Sequence, residues 1–198
     1  MTRRLPFLAT VIVLAAVGVM IALGAWQLQR ASGKEALLAR YAQAQDLPPI
    51  VWPAQPPRGD QLPLFRHATG MCPRIVARRA QAGENAQGEP GYVHIVDCAA
   101  AAGAAGMSVE VGWSKDPNAP LNWAGGPVSG VIAPDRRSGM RLVAASAPPG
   151  LEPSRPPSPE TIRNNHRSYA LQWFAFAAIA LLIFGLALRG RLRQSASS

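Results

Sequence analysis

Residues 168–188 read SYALQWFAFAAIALLIFGLAL and contain no Asp, Glu, Lys or Arg. A helix that crosses a bilayer needs roughly 20 predominantly apolar residues, and this run supplies 21. A second charge-free run, Leu5–Gln29, lies near the start of the chain. A long stretch of mixed composition separates the two. The pattern predicts an integral membrane protein: two transmembrane α-helices flanking one β-rich extracytoplasmic domain, a small barrel- or sandwich-like α+β unit, with both termini on the same side.

Proline places the boundaries. Of 19 Pro, six fall in Pro48–Pro63 and six in Pro148–Pro159. Such density removes backbone donors and blocks helices and central strands. The expected order is therefore a tail and first span (1–29), an exit helix and Pro-rich arm (30–64), a β-rich domain (65–146), a second Pro-rich arm (147–165), a second span (166–188) and a basic tail (189–198). Residues 26–45, WQLQRASGKEALLARYAQAQ, carry good helix formers, so the first helix should run on to about Ala44, with a kink near Ser32-Gly33. The second arm should be extended and solvated.

The middle reads as five or six short strands. FRHATGMCPRIVARRAQ (65–81) gives one or two strands broken at Pro73, and YVHIVDC (92–98) follows the turn GENAQGEPGY (83–92). The stretch 99–107 is a small-residue loop. Ser108–Ser114 alternates, which places Val109, Val111 and Trp113 on one face and Glu110 and Gly112 on the other. GPVSGVIAP (126–134) and GMRLVAAS (139–146) complete the set around a PDRRSG turn.

The formal net charge is +9, and 18 of the 20 basic residues are Arg. They are scattered, with no run longer than two, which argues against nucleic-acid binding. Arg3, Arg4, Arg189, Arg191 and Arg193 flank the spans on the tail side; Arg30, Lys34, Arg40, Arg163 and Arg167 flank them on the domain side. The counts tie. The tails are short, basic and free of acid, so the positive-inside rule places them in the cytoplasm; with no long Arg/Ser-rich transit peptide ahead of the first span, a bacterial inner membrane with the domain in the periplasm is expected. A cleaved signal at Ala22-Leu23-Gly24, with a twin-arginine hint in Thr2-Arg3-Arg4, is the competing reading of the first run. Its length favours a retained span.

Chemistry-bearing motifs are few. There is no C-x-x-C spacing for a metal. Cys72 and Cys98 are a disulfide candidate in an oxidising compartment, with two buried thiols as the alternative. His94 and Asp97 in YVHIVDC point to opposite strand faces, and no G-x-S-x-G motif supplies a nucleophile. His67 carries no signal. GGPVSG lacks the Lys of a phosphate loop. No catalytic residue is therefore assigned.

The membrane boundary is more informative. The second span opens as NNHRSYALQWF (164–174), more polar than an anchor requires. His166, Tyr169 and Trp173 are spaced i, i+3, i+7 and share a helix face, flanked by Asn165 and Gln172. Imidazole is an axial ligand for haem iron, and aromatic rings can line a porphyrin. Tyr and Trp also belong at interfaces without any ligand. At the exit of the first span, Gly24 permits close helix approach, and Trp26 and Arg30 are one turn apart. Trp26 is expected level with Trp173, and Arg30 near His166, where it could pair with a lipid headgroup or a haem propionate.

Two segments carry a resemblance. Gly24-Ala-Trp26-Gln27-Leu-Gln-Arg30, with Lys34-Glu-Ala-Leu37 behind it, is similar to the G-x-W-Q-x-x-R-x-x-x-K-x-x-L signature of the surfeit-locus-1 family of cytochrome c oxidase assembly factors. Asn165-His166-Arg-Ser-Tyr169-Ala170-Leu-Gln172-Trp173-Phe174 is similar to that family's N-H-x-x-Y-A-x-Q/T-W-F signature. Val111-Gly112-Trp113 stands where the family has Arg-Gly-Trp. The Arg is absent, the domain is short, and the cysteine pair is not a family feature. The resemblance implies assembly of a haem–copper oxidase rather than catalysis, with haem a as transient cargo and the oxidase catalytic subunit, a haem a synthase and membrane lipid as partners. It implies His166 as the axial ligand to the iron, supported by Tyr169, Trp173, Trp26 and Arg30. A docking scaffold without haem, and a membrane-anchored envelope enzyme with its site in the β domain, are the rival readings.

Overall fold

The computed structural model describes residues 7–55, 57, 59–100 and 106–196. Arg3, Arg4 and most of the small-residue loop after residue 98 lie outside them. The described chain forms two units: the paired helices (residues up to Leu37 and from Arg163 onward) and a β unit, Leu38–Ile162.

Helix α1 spans Phe7–Gln45 and α2 spans His166–Ala196. Both are long and apolar enough to cross a membrane. At 1.5 Å per residue α1 is roughly 58 Å long, well beyond the ~30 Å of a hydrocarbon core, so it continues past the span as its composition predicts. The helix runs unbroken through Ser32-Gly33, where Ser32 Oγ–H bonds the Leu28 carbonyl. It ends before Pro48-Pro49, which cannot continue a helix.

Within the helix unit, the covered positions of α1 step by three and four: Val13, Val17, Met20, Gly24, Gln27, Ala31. On α2 the same steps join His166, Ala170, Trp173, Ala177 and Ala180. This is the spacing of a left-handed helix pair with small residues at the contact. The helices run antiparallel, since Gly24 meets Phe174 while Lys34 meets Arg163. Their other faces leave Leu171, Phe176 and Leu182 exposed, as lipid-facing surface should be.

The β unit is one seven-stranded sheet: β1 Ile50–Val51, β2 His67–Cys72, β3 Ile75–Glu84, β4 Pro90–Cys98, β5 Met107–Ser114, β6 Gly126–Asp135 and β7 Gly139–Ala144. The order is β1-β2-β6-β7-β5-β4-β3. Pairing is antiparallel except for β1 with β2 and β5 with β7. The main core gathers Val96, Val109, Ile132, Met140 and Leu142. Cys72 and Cys98 are joined as a disulfide within it.

Two details depart from the strand patterns. First, β5 is buried on both faces rather than alternating with solvent. A bulge opposite His94/Ile95 inserts one extra residue into β5. Val109 and Val111 therefore join the main core, while Trp113 packs with Val93 and Ile95 on the other face. Second, the arm after β7 is extended and keeps exposed residues such as Pro149, Pro153 and Pro156, but it is also hydrogen-bonded to the sheet. Trp113 and Glu152 exchange backbone hydrogen bonds of 2.7 and 2.9 Å, and Arg155 N–H bonds the Glu84 carbonyl. A Cβ at Gly112 would stand 2.9 Å from the Glu152 carbonyl oxygen. The Gly112-Trp113 pair thus lets the arm onto the sheet and then pairs with it.

A charged chain crosses the same unit. Asp97 takes Arg79, Arg79 also takes Asp135, and Arg141 joins Asp135 to the buried Glu110. Ser108 Oγ–H donates to Asp97 as well. Buried charges of this kind need such partners to offset desolvation.

Candidate functional site

The site builds from the helix pair. Gly24 on α1 has no Cβ, and one placed there would meet the Phe174 ring at 2.6 Å. That gap lets α2 approach and brings the next covered residue of α1, Gln27, to the start of α2. His166 Nδ1 lies 2.7 Å from Gln27 Oε1. With the amide oxygen as acceptor, Nδ1 carries the proton and donates it. Nε2 is then the unprotonated nitrogen, and among the described residues no side chain hydrogen-bonds it.

Three further polar contacts tie the helices beyond this point. Asn164 Nδ2–H donates to the Ala31 carbonyl at 3.3 Å. Lys34 Nζ–H donates to the Arg163 carbonyl. Arg167 forks onto the Glu35 carboxylate at 2.8 and 2.9 Å. Three of the polar side chains that open the second span, Asn164, His166 and Arg167, are thus partners of α1.

The five residues assigned from the sequence fall into two groups. His166 and Trp173 lie on the covered stripe of α2, whereas Tyr169, 50% exposed, lies beside it. Trp173 meets Phe176 edge to face with centroids 6.3 Å apart. On α1, Trp26 is 49% exposed and the Arg30 guanidinium lies over it, 5.7 Å from the ring centroid. Arg30 therefore stacks on Trp26 instead of bonding His166. The residue that does reach His166 is Gln27, which the sequence motif contains without revealing its role. A signal is present in the sequence nonetheless: a polar amide at a three-four step between Gly24 and Ala31.

The β unit supplies a contrast. His94 is buried, and its Nε2 is 2.8 Å from Ser114 Oγ. Sequence reasoning does not pair these two. The serine hydroxyl donates to the Asp116 carbonyl at 2.6 Å, so His94 donates to Ser114 and cannot act on it as a base. Burial pushes the His94 pKa down, against an opposing pull from Asp116. Asp97 faces Arg79 and Ser108 instead. The arrangement is a neutral structural bridge. Among the described residues there is no cluster of His, Cys, Asp and Glu fit for a metal ion.

A family model described as the SURF1 family matches residues 14–178, a span that includes both helix motifs and the whole sheet. The chain belongs to the SURF1 family. No curated protein matches it closely enough to be compared. The SURF1 family is associated with cytochrome oxidase assembly, and its members are assembly factors rather than known enzymes. In this SURF1-family chain, the segments carrying the resemblance are the ones that meet at the helix pair, through Gly24 with Phe174 and Gln27 with His166.

Proposed function

We propose that this SURF1-family protein assists assembly of a haem–copper oxidase by holding haem a transiently at the outer surface of a bacterial inner membrane and aiding its insertion into the catalytic subunit. The observation that carries this reading is His166: an imidazole tied at Nδ1, with Nε2 unpartnered, at the first turn of an apolar helix. Metal-ligating histidines typically have one nitrogen hydrogen-bonded and the other free, and a neutral imidazole is a common axial ligand of haem iron. The surrounding residues fit such a cargo. Tyr169 and Trp26 are about half exposed, and Arg30, stacked on Trp26, has no carboxylate partner among the described residues. A guanidinium is suited to a propionate. A haem a ring and its isoprenoid tail are apolar and favour a site beside lipid. A single axial ligand leaves the cargo releasable to the oxidase subunit, with a haem a synthase as the donor. No covalent step is needed.

The orientation belongs to the same proposal: both basic tails in the cytoplasm, the β unit in the periplasm. The Cys72–Cys98 disulfide supports it, because disulfides persist in oxidising compartments. The test is a reduced visible spectrum with haem extraction. Wild type and His166→Ala, each co-expressed with a haem a synthase, are purified in detergent and compared. The expected result is haem a in the wild type and little in the variant.

A second reading has its own observation. The four polar contacts between α1 and α2 hold the pair without any cargo. A docking scaffold would need nothing more. Equal or absent haem in both proteins would favour that scaffold.

A further inference from the structure

We infer that Gln27 is a positioning residue: its amide oxygen selects the tautomer of His166 and aims Nε2 away from α1. The inference rests on the haem reading above and names the residue that makes the imidazole fit for it. Gln27 occupies the covered stripe of α1 between Gly24 and Ala31, where helix packing asks only for a residue of suitable size. A polar side chain in such a seam incurs desolvation unless it is hydrogen-bonded. Its 2.7 Å bond to His166 Nδ1 meets that need.

The bond also decides chemistry. A neutral imidazole has one N–H and one lone pair, and the hydrogen bond at one nitrogen sets the state of the other. An amide oxygen can only accept, so Nδ1 keeps the proton and Nε2 keeps the lone pair. The two ring nitrogens point in diverging directions. Anchoring Nδ1 to α1 therefore turns Nε2 away from α1. Gly24 sets up the approach by giving space to the Phe174 ring. Asn164 and Lys34, bonded across the helices just beyond, limit rotation of the turn that carries His166.

The experiment reads the tautomer and the ligation separately. The full chain, labelled with ¹⁵N-histidine, is prepared in detergent without haem and examined by NMR at about pH 8, where imidazole is neutral. Only His67, His94 and His166 contribute. Exposed His67 is the internal reference for an unbiased ring. His166 is expected as the Nδ1–H form in wild type and in Gln27→Glu, whose carboxylate also accepts, and as a His67-like mixture in Gln27→Leu. Haem a is then added to each protein. Gln27→Leu is expected to bind about 10- to 100-fold more weakly, with an altered axial-ligand spectrum, and Gln27→Glu to restore both.

A proton on Nε2 in the wild type, or an unchanged tautomer and affinity in Gln27→Leu, overturns the inference. If His166→Ala abolishes haem binding while Gln27→Leu changes nothing, the haem reading stands and the positioning role falls. If the tautomer follows Gln27 as expected and haem a binds none of the proteins, the selection of the tautomer stands and the haem reading falls.

Discussion

Burial keeps the His94 imidazole neutral, and that has a consequence for stability. Its folded pKa lies below the ordinary value, so as pH falls through about 6.5 the unfolded chain takes up a proton that the folded chain refuses. The β unit should therefore lose stability from about pH 7 downward until the lower folded pKa is reached. Urea unfolding at about pH 7.5 and about pH 5.5 measures this, and His94→Gln should shrink the difference. His94→Gln should leave haem retention at His166 and oxidase assembly unchanged; loss of the protein's function on this substitution would revive the enzyme reading of the β domain. Asp135 works with the opposite sign. Burial alone would raise its carboxyl, but hydrogen bonds from Ser138 and the Arg79 guanidinium outweigh it, and the net pKa is lowered. Its contribution is present above about pH 4 and is lost as pH falls through the folded value. Asp135→Asn leaves Arg79 and Arg141 short of a buried partner. It should cost on the order of 3 kcal/mol, read as a lower urea midpoint at neutral pH.

At the scale of elements, the two helices and their contact depend on one absent side chain. Gly24→Leu puts a Cβ 2.6 Å from the Phe174 ring, so the ring or α2 has to shift, and the Gln27–His166 bond is expected to lengthen. The variant should lose the His166 tautomer preference and most bound haem. Adding Phe174→Ala clears the space and should return much of both, a coupling that additive damage would not produce. The spans themselves were legible because a charge-free apolar run of this length has few other uses. Strands β2 to β7 were legible from alternation and turn residues. What escaped was whatever depends on tertiary partners. The bulge that turns Trp113 away from Val109 leaves no mark in SVEVGWS. The pairing of Glu152 with Trp113 is hidden in a Pro-rich arm that reads as solvated linker. At the site, the stripe of His166 and Trp173 was readable from spacing, but the choice of Gln27 over Arg30 as the histidine's partner required knowing the depth at which α2 meets α1.

Across the whole molecule, stability rests on different physics in the two units. The helix pair exposes apolar side chains over most of its surface and depends on lipid or detergent. The β unit has its own core, and Cys72–Cys98 closes a loop with a sequence separation of 26 inside it. Cross-linking a loop of that size removes unfolded-state freedom worth about 3 to 4 kcal/mol. The Gln27–His166 bond, by contrast, lies within the helix unit. Replacing both cysteines by serine should therefore lower the urea midpoint of the β unit markedly. It should leave haem content per folded molecule close to wild type. The comparison is made on detergent-purified protein, with β-unit unfolding followed in urea and haem extracted from the folded fraction. Haem loss in proportion to the destabilisation would mean that the proposed site draws on the β unit for its shape. Retention of haem at reduced stability would assign cargo binding to the helix pair.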